Sequence, residues 1–231
     1  METKKYKLTD ETINVYGRTL YRIEALRDFS DVKKGDKGGY IEKEENLSQS
    51  GDCWVYHNAV VYDDAEVYED VKVFGDARIY GKARVLDNAR VLDNAKVYGN
   101  AAIYGDAKVY CNANVYGNAM VYCDAKVYGN AMVYDNVKVF EDAEVFGNAE
   151  VFGNAEIRGN AEIASNSDYI VFKNWWSSGR YFTWTKSNNM WKAGCFYGTS
   201  NELIEKAYRD SEKSGKEYEK IVKYVESILK V

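Results

Sequence analysis

A six-residue period governs about half of this chain. From Asp52 to Ser165 the frame Asn/Asp, Ala, variable, Val/Ile, Tyr/Phe, Gly/Asp/Cys recurs in nineteen units without an insertion or deletion. The second position reads Cys53, Ala59, Ala65, Val71 and onward to Ala161; the fourth reads Val55, Val61, Val67 and onward to Ile163. A unit this short cannot bury an apolar face alone, so such repeats stack into a solenoid with one continuous core. Ala and Val/Ile stand two residues apart and share one face of a short strand, while the variable residue and the aromatic share the other. Gly-Asn, Asp-Asn and Gly-Asp then tolerate the left-handed backbone of a tight corner. One unit makes one flat side and one corner. Three units close a triangular coil, and about six coils stacked at ~4.8 Å give a prism roughly 30 Å long.

The period does not fix the hand of the coil. The frame Val97-Tyr98-Gly99-Asn100-Ala101-Ala102 resembles the bacterial hexapeptide repeat. That resemblance implies a mainly β fold, a left-handed parallel β-helix, and assembly as homotrimers. The expected layout is an N-terminal cap over residues 1–51, the β-helix over 52–165, and a small α+β appendage over 166–231.

Residues eighteen apart share a side. The first side carries Trp54, Lys72, Arg90, Lys108, Lys126, Glu144 and Glu162 at the variable position. Charge disappears from the middle of the second side at Asn114 and Met132, and of the third at Ala102 and Met120. With the outward aromatics Tyr104, Tyr116 and Tyr122, these residues make an apolar strip of the kind that marks association surfaces. The expected oligomer interface is therefore Tyr104, Met120, Tyr122, Asn114, Tyr116 and Met132. The competing reading is a tyrosine ladder that only stabilises the stack. Lys72, Arg90, Lys108 and Lys126, stacked one per coil, are either a second anion-binding candidate or ordinary solvated lysines.

The flanks depart from the frame. Asn46–Gly51 resembles a degenerate first unit, and Leu20–Leu26 alternates like a half-buried strand. These residues suit a cap on the first coil. After Ser165 the chain turns aromatic, and Tyr181–Thr185 followed by Lys186–Asn189 reads as a strand and a turn to a second strand. Thr199-Ser200-Asn201-Glu202 is a capping box. Two helices follow, with the expected break at Ser214-Gly215.

The catalytic inventory is thin. The single His, His57, sits at a corner of the first unit, and the four cysteines lack CxxC spacing and His partners. No catalytic residue, metal site or cofactor is expected. A net charge of −5 argues against sequence-specific nucleic-acid binding. No apolar run suits a membrane span, and the polar start points to a cytoplasmic location. The one ligand-like constellation is Trp175, Trp176, Arg180, Tyr181, Trp184, Lys186, Asn188, Trp191 and Lys192, with Asn189 beside them. Flat rings beside cations and amides suit a small anionic, nucleotide-like ligand; the alternative is that the Trp and Phe rings form the core of the appendage and its seal on the last coil.

The front motif Tyr21–Leu26 with Lys37-Gly38-Gly39-Tyr40-Ile41, the repeats and the Trp-rich close together resemble uncharacterised hexapeptide proteins of bacteria and phages that are named as transferases. The leading expectation is a non-catalytic oligomer that binds a small anionic ligand or a protein partner. A phage protein that sequesters a host immune nucleotide is its specific form. Many hexapeptide proteins are acyltransferases, so a coenzyme-A-dependent relative is an alternative, and a structural rod is another. Against the acyltransferase reading stand the lack of a mid-solenoid His and of a looped insertion.

Overall fold

The computed structural model describes residues 4–229, so Met1–Thr3 of the polar N-terminal segment lie outside the described residues. The chain opens with an antiparallel hairpin, β1 (Tyr6–Val15) and β2 (Arg18–Ala25), joined to β3 (Lys37–Ile41). Nineteen two-residue rungs, β4 to β22, follow from Trp54–Val55 to Glu162–Ile163. Each of the first sixteen pairs in parallel with the rung eighteen residues on, as Lys96 does with Asn114 and Asn114 with Met132. The result is a parallel β-solenoid. Ala and Val/Ile of successive units fill its core, fully buried from Ala77 to Ile163.

The stack holds about seven coils where the repeat alone implies six, because the front segment contributes two further sides. Tyr40–Ile41 of β3 pairs in parallel with Val60–Val61, and Leu47 bridges Val67 in parallel. Ile41 and Leu47 are fully buried, so the degenerate unit at Asn46–Gly51 supplies a real rung. The corners take the left-handed backbone expected of them: φ is 70° at Gly99, 59° at Cys111 and Cys123, and 55° at His57. At Gly81 the corners stack closely, and a Cβ there would lie 2.9 Å from the Gly99 nitrogen, so a side chain would force the corner to shift.

The cap corrects the reading of Trp54 as an outward residue on a charged side. Its ring is buried against Phe29 at 5.4 Å and Tyr6 at 6.2 Å, because the front segment folds over the first coil. The β1–β2 hairpin also reaches the outer face of the second side, where Leu20 packs with Val60 and Tyr62.

At the far end the appendage holds four strands where the sequence suggested two. They are β23 (Tyr169–Lys173), β24 (Tyr181–Thr185), β25 (Met190–Ala193) and β26 (Phe196–Gly198), in one antiparallel sheet. Gly194, at φ 59°, turns β25 into β26. Two helices follow, α1 (Ser200–Asp210) and α2 (Glu212–Ile228). Thr199 and Glu202 form the expected capping box at α1. The break between helices falls at Ser211, whose side chain caps α2, and not at Ser214-Gly215. Gly215 is instead a packing glycine, since a Cβ there would sit 2.3 Å from the Tyr208 ring. Among the described residues no helix is long and apolar enough to cross a membrane.

Candidate functional site

Outward aromatics stack up each side of the solenoid. On the second side Tyr62, Tyr80, Tyr98, Tyr116, Tyr134 and Phe152 form a continuous ladder with nearly parallel rings 4.8 to 5.6 Å apart. On the third side Tyr104, Tyr122 and Phe140 stack at 4.8 and 4.9 Å. The spacing matches the rise per coil, so each ring packs on its neighbours' faces with no rearrangement. Burial in the ladder, and then the neighbouring Tyr80 and Tyr116, push the Tyr98 hydroxyl up to about 12.

The three edges differ in chemistry. Between the second and third sides Asn100, Asn118, Asn136 and Asn154 form an amide ladder, each Nδ2 donating to the next Oδ1 at 3.0 to 3.4 Å. Asn94, Asn112, Asn130 and Asn148 repeat it between the first and second sides at 3.0 to 3.1 Å. The third edge is acidic. Asp106, Asp124 and Asp142 run beside Arg90, Lys108 and Lys126 and line a groove of about 380 Å³. Lys126 is paired with Glu144 at 2.7 Å and Lys72 with Asp31 at 2.6 Å. Carboxylates thus already accompany the basic column, which weakens it as an anion site.

The residues of the expected interface lie where the repeat placed them. Asn114, Tyr116 and Met132 are on the second side and Tyr104, Met120 and Tyr122 on the third, all half-buried. They meet around the corner at Gly117-Asn118, and Ala102 beside them is 8% exposed.

The Trp-rich constellation divides. Trp176, Trp184 and Trp191 are buried with Phe182, Leu203, Val222 and Val225 in the core between sheet and helices. The Trp184 indole N–H donates to Asn189 Oδ1 at 3.0 Å and that of Trp191 to Ser200 Oγ at 3.0 Å. Those rings are core and offer no open face. Lys192 is paired with Glu156 on the last coil at 3.0 Å. Asn188 donates to the Tyr197 hydroxyl at 3.2 Å. Lys186 is exposed. Trp175 and Tyr181 remain open, at 71% and 44% exposure. Arg180 and Tyr181 line a cleft of about 310 Å³ with Cys195, Lys206 and Tyr218.

The sequence reading missed how the appendage seals the solenoid. The last rung of each side ends on side-chain oxygens. Glu150 N donates to Asn166 Oδ1 and Phe152 N to the Tyr169 hydroxyl on the second side. Glu156 N donates to Thr183 Oγ1 on the third, and Glu162 N to Ser187 Oγ on the first. Unpaired strand edges invite aggregation, and these groups close them. On the third side the aromatic ladder is closed too: the Arg158 guanidinium lies 5.6 Å from the Phe140 ring and 4.8 Å from Tyr197. On the second side Phe152 keeps an open face, at 46% exposure. It lines a groove of about 560 Å³ with Asn154, Asn166, Tyr169, Ile170 and Tyr181. The frame break after Ser165 was the available signal, since the chain leaves the coil path there.

The chain carries a hexapeptide-repeat β-solenoid. The family model for the YdcK beta solenoid repeat matches residues 125–139. A relative from Escherichia coli (strain K12), named uncharacterized acetyltransferase YdcK, is 48% identical over 42 residues, which are 18% of this chain and 13% of that protein. The match therefore spans a small part of the relative's length. These likenesses agree with the resemblance to hexapeptide proteins named as transferases.

Proposed function

We propose that this protein is a non-catalytic binding protein that assembles with copies of itself, as a trimer, through the second and third sides of the solenoid. The observation that supports this most is the uncharged band at mid-height, where Asn114, Met132, Ala102 and Met120 interrupt columns charged toward both ends. Related copies present this band at the same height, so neutral rings meet neutral rings and no charge is buried unpaired. The acetyltransferase name of the relative favours a second reading, an acyltransferase. Against it, His57 is an exposed corner residue beside Tyr56 and Phe74, and the nineteen rungs run without a loop that would build an acceptor pocket.

Native mass spectrometry of the freshly purified chain tests the proposal. A trimer is expected, and Met120→Lys combined with Met132→Lys is expected to reduce it to monomer while circular dichroism stays unchanged. A wild-type monomer would exclude the interface. Retained coenzyme A would move the reading to the acyltransferase.

A further inference from the structure

Two ladders end at the same place. The aromatic ladder of the second side stops at Phe152, whose ring stacks on Tyr134 at 5.6 Å and is 46% exposed. The adjacent amide ladder stops at Asn154, whose Oδ1 accepts from Asn136 at 3.4 Å. Every earlier Nδ2 in that ladder donates to the next coil; that of Asn154 has no acceptor among the described residues. Both ladder ends line the groove of about 560 Å³, together with Asn166, Ile170 and the exposed ring of Tyr181.

Among the described residues, one unpaired cation stands beside the groove. Lys173 pairs in register with Tyr181 and holds its ammonium 5.6 Å from that ring. Arg180, next to Tyr181 in sequence, lines the separate cleft beside Gly194. Lys173 is in no ion pair among the described residues, whereas Lys138, Lys192 and Arg158 nearby are paired with Glu156 or Glu141. No carboxylate lines the groove itself, and the neighbouring Asp135 carboxylate accepts from Gly153 N at 3.0 Å.

We propose that this groove binds a planar heterocycle bearing an anionic group, a purine mononucleotide being the class that fits. The ring lies on Phe152 as the next rung of the aromatic ladder. A ring nitrogen or carbonyl accepts from Asn154 Nδ2 as the next rung of the amide ladder. The phosphate is met by Lys173. The third side shows what completion looks like, since there the planar Arg158 guanidinium occupies the position over Phe140. The site deepens the binding-protein reading and rests on it for the premise that the chain holds a ligand, but not on the oligomeric state.

Isothermal titration calorimetry of the full chain with AMP tests it, with adenosine and inorganic phosphate as the separate halves. Saturable binding of AMP is expected, weaker for adenosine and weaker again for phosphate. Phe152→Ala is expected to weaken AMP binding by about 5- to 150-fold, the equivalent of ~1–3 kcal/mol for one base–aromatic stack. Phe152→Tyr is expected to keep it. Lys173→Gln is expected to weaken AMP but not adenosine. Phe152 ends its ladder, so its removal leaves the stack below intact, which thermal unfolding of the variant checks. No saturable AMP binding, or AMP binding unchanged in Phe152→Ala, overturns the site. A trimer that binds no AMP removes the groove and leaves the assembly standing. A monomer that binds AMP does the reverse.

Discussion

The two ends of the solenoid are closed by different physics. At the front, the chain plugs the first coil with large side chains. Trp54, Phe29 and Tyr6 pack edge to face, and the buried Lys5 ammonium donates to the carbonyls of Ser50, Gly51 and Cys53 at 2.9 to 3.3 Å. At the rear, a four-stranded sheet lies across the last coil and meets its backbone through Asn166, Tyr169, Thr183 and Ser187. A packed plug concentrates stability in a few residues, and a ring of single hydrogen bonds spreads it over many. The difference also explains the open groove. A plug covers everything beneath it, whereas a sheet that touches the coil at separate points can leave a ring such as Phe152 uncovered.

Truncating the plug should do the most damage. Trp54→Ala removes a fully buried indole and is expected to cost about 3–5 kcal/mol, read as a lower midpoint in denaturant unfolding. An effect below the cost of a surface substitution would mean the front is not closed by packing. Lys5→Met comes next. It leaves three carbonyls without their donor, at about 1–3 kcal/mol. Burial is the main influence on the Lys5 amine, lowering its proton affinity, and the neighbouring Cys53 partly opposes it. Hydrogen exchange should show the loss confined to the first coils, because each repeat contacts only its neighbours.

The same contrast governs what could be read in the sequence. The solenoid was legible because one rule, with Ala and Val inward and Gly or Asp at the corner, is imposed nineteen times, and the strip at Met120 and Met132 followed from counting by eighteen. The ends obey no repeated rule. Trp54 occupies a position that is outward in every other unit, and only the fold of the front segment over it makes it core. Trp184 and Trp191 share a composition with ligand-stacking sites, yet they face the helices, and no periodicity in short strands states which side is covered. Lys192 read as a ligand cation and is held by Glu156, a partner 36 residues away that spacing alone does not reveal. The capping hydroxyls of Thr183 and Ser187 are ordinary residues whose role exists only once a strand edge lies opposite.

Replacing one seal at the rear should cost less than either front change. Thr183→Val keeps the shape and removes the oxygen that accepts from Glu156 N, at about 1 kcal/mol. Faster exchange of the Glu156 amide with the front coils unchanged is the expected signature. Protection equal to wild type would show that the sheet, not the hydroxyl, closes that edge.

Acid provides the finest comparison. At the front Asp31 accepts from Lys72 at 2.6 Å and from the Tyr56 hydroxyl at 2.8 Å, which lowers its carboxyl from 3.8 to about 2. A carboxyl lowered on folding contributes stability that is present above its unfolded value and lost as pH falls through its folded one. The front should therefore loosen between 3.8 and about 2. Asp31 is largely exposed, so the contribution is small, about 0–1 kcal/mol after solvent screening. Glu156 is the matching rear group, lowered by Lys192 and Lys138 against the opposing effect of its own burial. The variant Asp31→Asn separates the two: it should abolish the acid-dependent exchange of the first coils and leave that of the last coil in place. If both ends changed together, the coils between them would be transmitting the loss, and the nearest-neighbour independence that makes the ends comparable would not hold for this stack.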